Sequence, residues 1–169
     1  MQVQVIYASR HGASKKYAEA IAEVLDGEAM DMANTSSFWG DAVVFVCGVY
    51  EHKLNPDLMS FIDAHKGDLY GRMWAGVAVS LIDDERVMGN EKIGGPIYVR
   101  QYLSLFDRPP LALGNFPGAV YMDQLTSDEK EQVKKVFDVL GKEPGDIDNV
   151  DTEKVWTLSN RIKEIARQC

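Results

Sequence analysis

The stretch Ser9-Arg10-His11-Gly12-Ala13-Ser14 carries the residue types that hold a phosphate. Such an anion needs several backbone N–H groups converging on one point, hydroxyls as further donors, and a helix start whose dipole favours negative charge. Ser9 and Ser14 bring hydroxyls, Gly12 permits close approach or a positive φ, and Arg10 and His11 offer further donors. The same residues also suit a plain helix start with a turn glycine and no ligand. The turn fits neither G-x-G-x-x-G nor the P-loop, since Gly12 stands alone and no Gly-Lys-Ser/Thr follows. A dinucleotide and a nucleoside triphosphate are both disfavoured on that ground.

Other chemistries find little support. His11, His52 and His65 are the only histidines, and none forms a recognisable pair with a nucleophile. Ser9 has His11 nearby but no G-x-S-x-G elbow. The acidic run from Asp146 to Glu153 lacks EF-hand spacing and reads as a solvated surface. A phosphorylatable receiver needs acids at the ends of strands one and three, where this chain has Tyr7-Ala8-Ser9 and Gly48-Val49-Tyr50. Cys47 lies in an apolar run and Cys169 is the last residue, which fits two reduced thiols rather than a disulfide framework or zinc site.

The elements that would position the turn follow from apolar patterning. Val3 to Ala8 reads as strand one, and Tyr17, Ala18, Ile21, Ala22 and Leu25 mark one face of the next helix, stopped by Gly27. Glu28 to Met32 is a short second strand, followed by a turn at Asn34-Thr35-Ser36-Ser37. Val43 to Val49 is continuously apolar, as a central parallel strand must be. Asn55 and Pro56 form a cap and first helical residue, ahead of Leu58, Met59, Phe61 and Ile62. Trp74 to Ile82 is strand four, ended by Asp83-Asp84-Glu85; Gly94-Gly95-Pro96 opens a helix through Tyr98, Val99, Tyr102, Leu103 and Phe106. Leu111 to Tyr121 contains strand five. Thr126-Ser127-Asp128-Glu129 then caps an extra helix with Val133, Val136, Phe137 and Leu140 on a narrow apolar stripe, before a last helix near Thr152 to Arg167. Phe38, Trp39 and Trp156 are expected to pack, and the methionines to fill gaps in the core.

This alternation predicts an α/β domain with a mostly parallel sheet and helices on both faces. The 169 residues suit one domain, 1–169. A net charge of −8 repels nucleic acid and anionic membranes, so no nucleic acid partner is expected. No apolar stretch approaches the ~20 residues needed to span a bilayer. Met1 leads straight into a strand pattern without a signal sequence, and the expected location is cytoplasmic.

The run Ile6-Tyr7-Ala8-Ser9-Arg10-His11-Gly12-Ala13-Ser14 resembles the phosphate loop of the flavodoxin family, a Ser/Thr-rich turn with a glycine that wraps the FMN phosphate. Within that family it is similar to the flavodoxin-domain branch that includes menaquinone-dependent protoporphyrinogen oxidase. Val49-Tyr50-Glu51-His52-Lys53 stands where that branch tends to carry Ile-Tyr-x-Gly-Lys/Arg. Ser80-Leu81, Pro117-Gly118-Ala119 and the added helix match as well. The resemblance implies a flavodoxin-like, doubly wound, five-stranded parallel sheet of order 2-1-3-4-5, with a helical insertion before the last helix.

It also implies FMN as cofactor. Ser9, Arg10, His11, Gly12, Ala13 and Ser14 would hold the phosphate. Val49, Tyr50, Glu51, His52, Lys53 and Leu54 would form one wall of the flavin ring, and Ser80, Leu81, Ile82 and Asp83 the other. Two positions depart from the family pattern: His52 replaces a glycine beside flavin N5, and Leu54 replaces a frequent aromatic, which leaves Tyr50 as the stacking candidate. Asp83, Asp84 and Glu85 would disfavour an anionic reduced flavin and lower its potential. The implied function is an FMN-binding electron carrier or small flavoprotein reductase, cycling between oxidised, semiquinone and reduced states, with redox proteins docking at the flavin edge. A protoporphyrinogen oxidase-like enzyme with a quinone acceptor, or a cofactor-free interaction domain of the same fold, are the alternatives. The insertion from Thr126 to Glu153 is richer in acid than in base, which argues against a membrane-facing role.

Overall fold

The computed structural model describes residues 1–168; Cys169 lies outside the described residues. Five parallel strands form the sheet: β1 (Val3–Ala8), β2 (Glu28–Asp31), β3 (Ala42–Tyr50), β4 (Met73–Ser80) and β5 (Leu113–Pro117). Their spatial order is β2-β1-β3-β4-β5, the doubly wound order 2-1-3-4-5 expected from the sequence. The order reverses between β1 and β3, so the loops leaving those two strands flank a crevice at their carboxyl ends.

Alternation along each strand sorts side chains to two cores. Val3, Val5, Tyr7, Val44, Val46 and Val77 face α1 (Ala13–Leu25) and the C-terminal helix. Ile6, Ala8, Val43, Phe45, Cys47 and Ala78 face α2 (Pro56–Ala64) and the segment Gly95–Leu105. Gln4 is the polar exception in β1. Fully buried, it donates from Nε2 to the Ser37 carbonyl at 3.1 Å and accepts the Trp39 N–H at 3.2 Å, which pins the Ser37–Trp39 loop to the strand.

Helix starts agree with the residues that mark them. Asn55 accepts the N–H groups of Asp57 and Leu58, with Pro56 in the first turn of α2. Thr126 and Glu129 form a reciprocal capping box at α3 (Ser127–Leu140), and Gly141 ends that helix at φ 66°. Near its end the chain enters α4 (Val155–Ala166), preceded by one 3₁₀ turn, Thr152–Lys154.

Several expectations need correction. The left-handed residue closing α1 is Asp26 (φ 51°), while Gly27 sits where a Cβ would lie 2.5 Å from the Val3 carbonyl oxygen. The segment after Gly94 is helical for one α-turn, Gly95–Tyr98, and then continues as a 3₁₀-helix, Val99–Leu105. Val99, Tyr102 and Leu105 recur every third residue against the core, which is the period of that tighter helix. Leu103 falls off this stripe and is exposed. The acidic turn after β4 leads into an unexpected hairpin, Arg86–Met88 with Glu91–Ile93, around Gly89-Asn90. Trp156 does not pack: it is 56 % exposed on the outer side of α4, while Val155, Leu158 and Ile162 face inward. Trp39 is exposed too, and of the Phe38–Trp39 pair it is Phe38 that packs against the core.

The insertion closes on itself. Ala119–Val120, just beyond β5, pairs antiparallel with Ile147–Asp148, and the Asn149 N–H donates to the Gly118 carbonyl at 3.1 Å. The intervening chain carries α3 back to the carboxyl end of the sheet.

Candidate functional site

A cavity of about 1050 Å³ opens at that carboxyl end. Of the residues expected from the sequence, all but Gly12 and Asp83 line it. Gly12 lies just behind the lining, as the N-cap of α1 with φ 96°, and its N–H donates to Ser9 Oγ at 2.9 Å. Asp83 is exposed outside the cavity, where its carbonyl accepts the Asn115 side-chain amide at 2.8 Å.

One end of the cavity gathers hydrogen-bond donors. No side chain caps α1, and its first turn holds no acidic residue. Ser14, in that turn, is only 3 % exposed, lines the cavity, and bonds to no other described residue. Free N–H groups of a helix start and a sheltered, unpartnered hydroxyl together form the donor set that a phosphate takes. His11 Nε2 lies 3.3 Å from Glu129 Oε1, so this end is also touched by α3. The Glu129 carboxyl is held below its ordinary pKa, chiefly by the Thr126 N–H and then by His11.

At the other end β3 folds back on itself. Val49 and Tyr50 pair with Leu54 and Lys53, leaving a two-residue turn at Glu51-His52. Both turn residues are left-handed, at φ 51° and 64°. That is the conformation of a type I′ hairpin turn, which ordinarily takes Asn-Gly. A left-handed residue with a Cβ costs roughly 1–2 kcal/mol. Three side-chain hydrogen bonds hold the turn in place. Gln101 donates from Nε2 to the His52 carbonyl and accepts the Leu54 N–H at Oε1, each at 2.9 Å. His52 Nδ1 and the Tyr98 hydroxyl lie 2.5 Å apart.

Tyr50 joins the two ends. Its ring leans across Gly48, where a Cβ would meet the hydroxyl at 3.0 Å. The Arg10 guanidinium sits 4.0 Å from the ring centroid. Burial pushes the phenol up to about 12, with Arg10 pulling the other way. One ring face is therefore covered by Arg10, and a ligand stacking there must open that contact.

Sequence reasoning missed the third wall. Leu125, Gln132, Val133 and Val136 bring one side of α3 and its approach to the cavity, Tyr98 comes from the α-turn Gly95–Tyr98, and Gln101 from the 3₁₀-helix that follows it. The Thr126–Glu129 capping signal locates the start of α3 but carries no information on which loop the helix will cover. Among the described residues, no group of three or more His, Cys, Asp or Glu could hold a metal.

The flavodoxin-domain family profile matches residues 4–146. This chain belongs to the flavodoxin-domain family. Solved structures of the same fold include a flavodoxin from the domain Archaea (14 % identity, TM-score 0.51, covering 80 % of this chain and 93 % of that one). Oxidised Flavodoxin 1 from Bacillus cereus is 20 % identical, with TM-score 0.50 over 82 % of this chain and 94 % of its own. The Trp repressor binding protein from Bacillus subtilis is 14 % identical, with TM-score 0.51 over 84 % and 99 %. No curated protein matches the chain. As a flavodoxin domain it carries its family's sheet order and presents its first and third strand loops to one cavity. Among the described residues, no helix is long and apolar enough to cross a membrane.

Proposed function

We propose that this flavodoxin domain binds FMN and serves in electron transfer. The observation that carries the reading is the uncapped start of α1 with the sheltered, unpartnered hydroxyl of Ser14 beside it. The donors fit a phosphate monoester. The ring-end walls lie in the same cavity as the cradle, as a phosphate joined to a ring system requires.

When bound, FMN would supply one- and two-electron chemistry. The chain's own residues do the rest. Ser14 and the first-turn N–H groups would hold the phosphate, and Arg10 and His11 would add donors to it. The Glu51-His52 turn and the Ser80–Ile82 segment line the cavity and would bound the ring from two sides. Redox proteins are the partners this reading calls for, docking where the cavity opens to solvent through small, transient contacts.

A second reading is favoured by α3. Leu125, Val133 and Val136 give the cavity an apolar wall beyond the loops that would hold the cofactor. A carrier that meets its partners at an exposed ring edge has no need of such a wall. A flavoprotein oxidoreductase taking a soluble substrate beside the cofactor does, as the resemblance to the protoporphyrinogen oxidase branch suggests.

Titration of FMN and riboflavin into the purified protein, read by flavin fluorescence, tests the first reading. FMN should bind more tightly than riboflavin. Ser14→Ala should weaken FMN by about tenfold, the worth of one hydrogen bond to a charged group, and riboflavin far less. Failure of both flavins to bind, or an equal loss for the two in Ser14→Ala, would overturn the assignment.

A further inference from the structure

His52 occupies a position that costs the backbone something and that three side-chain hydrogen bonds maintain. Neither turn residue is glycine or asparagine, yet both are left-handed. Strain of this kind persists only where its surroundings fix it. Here Gln101 bonds both sides of the turn, and Tyr98 bonds the imidazole itself.

The bond to Tyr98 decides which ring nitrogen carries the proton. Tyr98 is buried, 3 % exposed, and among the described residues its hydroxyl bonds only to His52 Nδ1. A buried hydroxyl must place its proton on an acceptor, and His52 Nδ1 is the one in reach, so the Tyr98 O–H is directed to that nitrogen. A neutral imidazole that accepts at Nδ1 must hold its hydrogen on Nε2. No described residue bonds to Nε2, and His52 lines the same cavity as Tyr50 and Leu81.

We infer that His52 presents Nε2–H as a fixed hydrogen-bond donor to a ring carbonyl or imine nitrogen of the ligand, with Tyr98 as the positioning residue that sets its tautomer and Gln101 as the residue that holds its turn. The donor assignment stands on the protein alone; the identity of the acceptor rests on the FMN reading above. A planar heteroaromatic ring with acceptor atoms on its edge is the ligand class that such a donor selects over a hydrocarbon ring of equal size.

Long-range proton–nitrogen correlation on protein with ¹⁵N-labelled histidine, at a pH where imidazole is neutral, tests this directly. The wild type should show His52 as the Nε2–H tautomer before any flavin is added. Tyr98→Phe should shift His52 toward a mixture of tautomers. Adding FMN to the wild type should move the Nε2 resonance, and His52→Ala should weaken FMN and riboflavin by the same factor, about fivefold, because the contact is to the ring. A wild-type Nδ1–H tautomer, or a spectrum unmoved by Tyr98→Phe, overturns the donor assignment. Should Tyr98→Phe fail to fold, the wild-type tautomer decides alone. If the Nε2–H tautomer is found and no flavin binds, the donor is upheld and the cofactor reading fails, so the two are separable.

Discussion

The guanidinium of Arg10 lies over the ring of Tyr50, 4.0 Å from its centroid. Through that contact the loop after β1 touches the end of β3, and the two ends of the cavity share one cation. Arg10 is exposed and forms no ion pair among the described residues, so its charge is free to face an anion in the cavity.

Arg10→Ala should therefore weaken FMN. Loss of a nearby cation at a partly solvated site is worth about 1 kcal/mol, or roughly fivefold in affinity. The loss should shrink as salt is raised, because part of it is Coulombic. Titrations at two ionic strengths check both points, and a salt-independent loss would assign Arg10 to packing alone.

Tyr17 ties α1 to the far side of the sheet. Its hydroxyl donates to the Pro117 carbonyl at 2.6 Å and accepts the Asp151 N–H at 3.0 Å, while its ring packs on Phe116. Tyr17→Phe keeps the ring and strands both partners. A destabilisation of about 1–3 kcal/mol is expected, measurable by urea unfolding.

The Glu51-His52 turn offers a gain. Glu51 is exposed, left-handed, and makes no side-chain hydrogen bond among the described residues. Glu51→Asn keeps a polar surface and suits φ 51° better, so stability should rise by roughly 0.5–1 kcal/mol. A lower thermal midpoint in the variant would contradict the left-handed turn.

Acid should loosen α3 from its N-terminus. The folded-state pKa of Glu129 is lowered, so its stabilising contribution is full above the unfolded carboxyl value of 4.5 and is lost as pH falls through the folded value. Below that point both the capping box and the contact to His11 weaken. Amide exchange, compared after correction for the intrinsic pH dependence, should show falling protection across the first turn of α3, with β1 and β3 unchanged.

Cys47 is fully buried, and burial pushes its thiol up to about 11. Native protein at pH 8 should leave the Cys47 peptide unalkylated by iodoacetamide, as judged by mass spectrometry, while denatured protein is modified fully.

Much of this arrangement could be read from residues alone because its causes are local. Val3 to Ala8 is apolar or β-branched nearly throughout, and a strand covered on both faces needs no other signal. Asn55-Pro56 and Thr126 to Glu129 are helix starts whose hydrogen bonds close within four residues. The helix start at Gly12 was legible for the same reason. What stayed hidden depends on distant partners. Nothing in Glu51-His52 announces a left-handed turn, because the residues that stabilise it, Tyr98 and Gln101, lie some fifty positions away. The cover of Tyr50 by Arg10 is likewise a meeting of two loops. Trp156 misled because residue type favoured burial, whereas its place on the helix circumference turns it outward. The Gly89-Asn90 pair did carry a hairpin signal, but strands of three residues leave little pattern around it.

The short pairing of Ala119–Val120 with Ile147–Asp148 has a consequence for how this chain can change. It forms a neck whose two sides already sit together, so the entropy of closing the excursion is met there and grows only slowly with what lies between. The residues from Tyr121 to Asp146 are in effect a cassette. They can be lengthened, shortened or exchanged while the sheet keeps its register, and each exchange would give the same sheet a different roof.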